Sequence, residues 1–126
     1  MFFAIGPMVQ LAMRAAIKLA GRRVQAGVVD ARFVKPMDEA LLLKAAGKVK
    51  LVVTLEENSV VGGLGEGIVH VLTGHGINVR TLLLGAPDGF VGHASISEQR
   101  AACGLTVEEI CARVTGALAE VDGGDT

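Results

Sequence analysis

Three observations predict an α/β fold, a three-layer α/β/α arrangement around a mostly parallel, mixed sheet of about four to five strands. Short runs that are apolar at nearly every position alternate with longer stretches whose apolar residues recur at helical spacing. The short runs lack the in-and-out alternation of a half-solvated antiparallel strand, so they read as parallel strands covered on both faces. Glycine and proline fall at the junctions between the two patterns, where the chain must turn. Strands that alternate with helices in this way bury both faces as one sheet between helix layers, joined by right-handed crossovers.

Each element follows in order. Residues 2–5 are apolar and lead into Gly6-Pro7, and proline suits a first helical turn because its missing N–H would be unpaired there anyway. From about Pro7, Met8, Leu11, Ala12, Ala15, Ala16 and Leu19 share one face, Gln10, Arg14 and Lys18 the other, and Gly21 ends the helix. Residues 24–30 form the next buried-strand pattern, stopped by Pro36. Asp38 caps a helix with an apolar stripe of Leu41, Leu42, Ala45 and Ala46, closed by Gly47. Residues 51–55 make a further strand, followed by Glu56-Glu57-Asn58 and a glycine-rich entry, 62–67, into a helix that runs to about His75. Residues 79–84 are the last clear strand, and 85–94, broken by Pro87, Gly89 and Gly92, read as a loop. Ser95 with Glu98, and Thr106 with Glu109, have the spacing of capping boxes; Gly104 separates their two helices. On the last helix Val107, Ile110, Val114, Ala117, Leu118 and Val121 share a face. The expected division is one domain over residues 1–121 and a flexible tail over 122–126.

Composition narrows the function classes. At 126 residues, with 51% hydrophobic and 20% charged residues, the chain is large enough to bury its own core and too apolar for disorder. A formal charge of -1 provides no field to attract nucleic acid, and four Phe with no Tyr or Trp give bases little to stack on. The longest apolar stretches are interrupted by Gln10, Arg14 and Arg80, short of the roughly 20 residues of a membrane span. Cys103 and Cys111, eight apart without a Cys-x-x-Cys spacing, point to buried thiols in a reducing, cytoplasmic setting.

The candidate sites lie at the expected carboxyl ends of the strands, where open α/β sheets meet ligands and partners. The cluster Gly62, Gly63, Gly65 could let backbone N–H groups approach a phosphate. A dinucleotide fingerprint would need glycine where Ile68 stands, however, and no Lys-Ser or Lys-Thr follows for a P-loop. Close packing of the helix on a neighbour is the better use of these glycines. Glu56 and Glu57 could be an acid/base pair, but adjacent residues of an extended chain point opposite ways. One carboxylate is expected to accept loop or helix-terminal N–H groups, the other to be solvated. His70 and His75 are about 140° apart on a helix and do not face a common metal. His93 reads as a loop organiser with Phe90 beside it, and Ser59, Ser95 and Cys111 lack the surroundings of a nucleophile. No catalytic, cofactor-binding or metal site is expected; the candidate contact or loop-organising residues are Glu56, Glu57, Gly62, Gly63, Gly65, Phe90 and His93.

Four strings carry a resemblance: Ala4-Ile5-Gly6-Pro7-Met8-Val9; Val28-Val29-Asp30-Ala31-Arg32-Phe33-Val34-Lys35-Pro36-Met37-Asp38; residues 51–57 followed by Gly62-Gly63-x-Gly65; and Pro87-Asp88-x-Phe90-Val91-x-His93. In order and spacing they resemble the third, carboxy-terminal domain of the 1-deoxy-D-xylulose-5-phosphate synthases, within the transketolase C-terminal-like superfamily, over nearly the whole chain. The Asp-Ala-Arg-Phe-Val-Lys-Pro run is the most specific part. Glu-Glu and Gly-Gly-x-Gly are shared with transketolases and with the beta subunits of 2-oxo acid dehydrogenases, the nearer alternatives. The chain departs from the pattern at Gly89, where a basic residue is usual, and at Ala94, where glycine is frequent.

The resemblance implies a five-stranded mixed sheet and a piece excised from a larger transferase. That parent enzyme condenses pyruvate with glyceraldehyde 3-phosphate, releasing carbon dioxide, in non-mevalonate isoprenoid synthesis. Its thiamine diphosphate and Mg²⁺ are held by a Gly-Asp-Gly motif with downstream Asn residues. Here Pro87 precedes Asp88 and no Asn follows Asn78, so this cofactor site is assigned to the parent's other domains. The implied role is structural and dimer-forming, with the preceding domains and the second subunit of a homodimer as partners and no activity in the isolated piece. A stand-alone regulatory module that binds a small phosphorylated metabolite is the reading from another class.

Overall fold

A computed structural model describes residues 1–31, 39–59, 63–86 and 103–124. Along the chain run β1 (Phe2–Ala4), α1 (Met8–Ala20), β2 (Val28–Asp30), α2 (Glu39–Ala46), β3 (Leu51–Ser59), α3 (Leu64–Gly74), β4 (Arg80–Ala86) and α4 (Val107–Gly124). Among the described residues the four strands form one sheet of order β2-β1-β3-β4, with every neighbouring pair parallel. The expected α/β class is the one found, with four parallel strands.

Strand order decides where the helices lie. The chain steps from β1 to β2 on one side, then returns across β1 to β3 and β4 on the other. Right-handed crossovers made in opposite directions put their helices on opposite faces. Accordingly, Phe2, Ala4, Leu51, Val53, Leu55, Leu82 and Leu84 pack under α1 and α4, while Phe3 and Val52 pack under α2 and α3. The alternation along β3 is the period-two geometry of a strand, and it makes two cores from one sheet.

α1 lies where its stripe predicts: Met8, Ala12, Ala15 and Leu19 are fully buried, with Pro7 at its head and Gly21 at its end. On α2, Leu42 and Ala46 are buried, but Leu41 is 44% exposed and does not belong to the core stripe expected for it. With 100° between successive residues, Leu41 falls just outside the arc that Leu42 and Ala46 turn to the sheet.

β2 also differs from the expectation for 24–30. It spans only Val28–Asp30, is the outermost of the described strands on its side of the sheet and is partly exposed. Arg23 takes a left-handed conformation, φ 64°, and the Val24 N–H turns back to the Leu19 carbonyl at 2.9 Å. Val24 and Ala26 are thereby used to cover the α1/α4 core before the ladder with β1 begins. In the other direction β3 outruns its apolar stretch, continuing through Glu56 and Glu57 to Ser59. α4 begins where Thr106 predicts, since Thr106 Oγ1 accepts the Glu109 N–H at 3.2 Å, and it runs to Gly124. Lys50 to Asp122 at 3.0 Å and Arg80 to Glu120 at 3.4 Å tie its second half to the starts of β3 and β4.

Candidate functional site at the carboxyl end of the third strand

The sheet's switch point lies between β1 and β3, where ligand crevices open in folds of this kind. From β1, Gly6 at φ +62° makes the turn into α1, the Ile5 N–H reaches the Leu55 carbonyl, and the Met8 N–H closes on Ile5. From β3, Val52, Thr54 and Glu56 follow one another on the α3 side, each at most 3% exposed.

Glu56 is the centre of this region. Its Oε1 accepts the Leu64 N–H and its Oε2 the Gly65 N–H, both at 3.0 Å. These are the first two amides of α3, and the residue at the helix's own cap position, Gly63, has no side chain to offer them. The carboxylate also meets the positive end of the helix dipole. Glu56 thus caps α3 from the neighbouring strand, with both oxygens occupied.

Gly65 shows why glycine stands in this entry. A Cβ built there would lie 2.7 Å from both Leu83 Cδ2 and Thr54 Oγ1, closer than any real methyl contact. Its absence lets the first turn of α3 rest directly on β3 and β4. Thr54, fully buried beneath it, has a hydroxyl without a hydrogen-bond partner. Nothing in the residue pattern signals this, because threonine is an ordinary strand residue.

Among the described residues, the other candidates do not join Glu56 in a reactive cluster. Glu57 is partly buried, and the two α3 amides are both on Glu56. His70 is exposed on α3; His75 ends that helix with Nε2 3.8 Å from Glu39 Oε2, both side chains half-exposed. Among the described residues no group of three His, Cys, Asp or Glu side chains could hold a metal. Cys111 is fully buried with Sγ 3.6 Å from the Ala15 carbonyl, and burial raises its thiol pKa while Arg22 and Lys18 pull weakly the other way. That is a packed thiol, kept protonated. Gly62, Phe90 and His93 lie outside the described residues, as do Pro36, Asp38 and the Ser95–Glu98 pair.

At the opposite, amino edge a cavity of about 250 Å³ is lined by Phe2, Leu51, Val53, Val114 and Leu118, with Lys48 and Lys50 among its other walls. None of its described lining residues is a carboxylate or a histidine.

The chemistry at the α3 entry is therefore that of a lock. An incoming phosphate or diphosphate would find the amides that should receive it already bonded to a carboxylate, and would face that carboxylate's charge. The described residues do not fit a diphosphate cofactor there.

Comparison with known proteins gives a consistent set of relatives. The family model described as "Transketolase, C-terminal domain" matches residues 1–110. The 1-deoxy-D-xylulose-5-phosphate synthase of Heliobacterium modesticaldum is 41% identical over 119 residues, 94% of this chain and 18% of that protein. Those of Desulforudis audaxviator and Aquifex aeolicus are 44% and 42% identical over 85% and 91% of this chain, and 17% and 18% of theirs. The chain thus spans less than a fifth of the length of these curated relatives. Among solved structures, a "Split gene transketolase, inactive beta4 tetramer" superposes with a TM-score of 0.85 at 35% identity, covering 94% of this chain and 38% of that one. No helix among the described residues is long and apolar enough to cross a membrane.

Proposed function

Because this chain belongs to the transketolase C-terminal domain family and matches the 1-deoxy-D-xylulose-5-phosphate synthases within it, we propose that it is a structural and dimer-forming carboxy-terminal domain of such a synthase. In this reading the parent enzyme condenses pyruvate with glyceraldehyde 3-phosphate in the cytoplasm, using thiamine diphosphate and Mg²⁺. The cofactor supplies the carbanion chemistry and is held by the parent's other domains. The domain itself holds neighbouring domains and a second subunit in register, so its contribution to rate is positional.

One observation carries the non-catalytic part of the proposal. The best-placed anion site of the described fold, the amino end of α3, is filled by the chain's own Glu56. The same observation weighs against a stand-alone module for phosphorylated metabolites, which would need those amides.

Calorimetric titration of the chain with thiamine diphosphate and Mg²⁺ tests the reading directly. The expected trace shows no binding heat, and co-expression with the upstream domains of a matching synthase restores the activity that those domains lack alone. Micromolar cofactor affinity in the isolated chain would overturn the assignment of the cofactor to other domains. Failure to restore activity would overturn the buttressing role.

A further inference from the structure

Resting on the reading of this chain as one domain of a longer synthase, we propose that the cavity at the amino edge is a strand slot. It receives an extended peptide segment that runs into Met1 and continues β1 in the amino direction, with an apolar residue immediately before Met1.

The register of β1 carries the argument. Met1 is already in the ladder on one flank: its amine donates to the Leu51 carbonyl at 3.0 Å and its carbonyl accepts the Val53 N–H at 2.9 Å. On the other flank the Phe2 N–H donates to the Gly27 carbonyl at 2.8 Å. Phe2 is level with Val28 on that side and with Val53 on the first. Counted backwards in the same register, the three residues before Met1 fall between residues 24–26 and residues 49–51. All six of those residues line the cavity of about 250 Å³. The cavity is therefore the space that the ladder leaves between its own flanks. Parallel pairing also states the next bonds. The carbonyl of the residue directly before Met1 would accept the Gly27 N–H, and the carbonyl one residue further back would accept the Leu51 N–H. Leu51 is only 4% exposed, so a backbone partner suits its amide.

The two-residue period of a strand assigns the side chains. Phe2 and Ala4 face the α1/α4 core, while Phe3 faces the α2/α3 core with Met1 packed against it. The residue before Met1 accordingly turns to the α1/α4 side, where Phe2, Val53, Val114 and Leu118 line the cavity. An apolar side chain fits those walls and a charged one does not. The group now at this end of the strand is the Met1 α-amine, and burial lowers its pKa by disfavouring the charged form. A peptide bond at the same place removes that charge. A small anion is the poorer occupant, because the Lys50 ammonium is already held by Asp122 at 3.0 Å.

Three-residue extensions of the full chain, exposed by cutting away a tag, test the slot. One chain carries Ser-Ser-Val directly before Met1, the other Ser-Val-Ser. The two have the same composition, and only the first puts valine on the side that Phe2 faces. Ser-Ser-Val is expected to raise the urea midpoint by about 0.5 M or more over Ser-Val-Ser, as burial of one aliphatic side chain does at an ordinary denaturant slope. Hydrogen exchange at the Gly27 and Leu51 amides is expected to slow by about tenfold or more in the Ser-Ser-Val chain relative to the unextended one. Equal midpoints for the two orders, or unchanged exchange at both amides, would overturn the slot. Those results leave the domain reading standing, since cofactor titration and restoration of activity judge it separately.

Discussion

The two helix layers cover the same sheet with different chemistry. Under α1 and α4 the interior is apolar throughout, closed by Cys111 as a small hydrophobe. Under α3 the sheet offers Thr54 and Glu56, the buried polar and charged residues among those described. The difference follows from how each helix begins. α1 starts at a tight Gly-Pro turn whose carbonyls, Ile5 and Gly6, accept the Met8 and Val9 N–H groups. α3 starts at glycines that bring its backbone onto the sheet but offer its first amides nothing. An acceptor must come from elsewhere, and β3 supplies it. The lesson is that a glycine-rich entry solves a packing problem by creating a hydrogen-bonding one.

The largest effect that would test this contrast is at Glu56. Glu56→Ala removes two charge-assisted hydrogen bonds and leaves the Leu64 and Gly65 amides without acceptors in a closed site. The expected cost is about 3 to 5 kcal/mol, seen as a lower urea midpoint at unchanged slope. Glu56→Gln keeps one acceptor oxygen and is expected to cost about half as much. A loss below about 1 kcal/mol for the alanine variant would mean that water serves these amides equally well and the lock is incidental.

How much of this was legible beforehand divides along the same line. The parallel sheet, the α1 stripe and the Thr106 cap could be read because each depends on local periodicity or on a neighbour three residues away. That one of the two glutamates would accept helix-terminal N–H groups followed from their place at a strand's end. Which of them does so depends on the register of β3 against α3, which no local pattern states. The apolar pattern overstates β2 because Val24, Ala26, Val28 and Val29 are equally apolar, and only the turn at Arg23 separates those that cover a core from those that pair. Leu41 joins the expected stripe because 41 and 45, like 42 and 46, are four apart, and spacing alone does not state which of the two rows a short helix turns to the sheet.

An intermediate effect is expected at Gly65. Gly65→Ala gains up to about 1 kcal/mol of intrinsic helix preference, but its methyl must displace Leu83 and Thr54 from 2.7 Å. Overpacking of this kind typically costs about 1 to 3 kcal/mol, so the net outcome is destabilising by roughly 1 kcal/mol or more. Thr54→Ala in the same background removes one of the two obstructing atoms. A double-mutant cycle by urea unfolding is therefore expected to show favourable coupling between the two substitutions. Strict additivity would mean that Leu83 alone sets the limit.

The smallest effect is the mirror of the last and falls on the other layer. Gly116 is also helical, yet a Cβ there meets open space. Gly116→Ala has no obstruction to pay against its gain in helix preference, and it removes conformational freedom from the unfolded chain as well. The expected change is a stabilisation of about 0.5 to 1 kcal/mol, provided unfolding is followed at concentrations low enough that association adds nothing. The two alanine substitutions share their chemistry and their secondary structure, so the opposite signs can come only from what lies outside the helix. If both destabilise, the approach of α3 to the sheet is not what requires glycine at position 65. If both stabilise, the contacts at 2.7 Å relax without cost, and the tight seating of α3 cannot be the reason its first amides depend on Glu56.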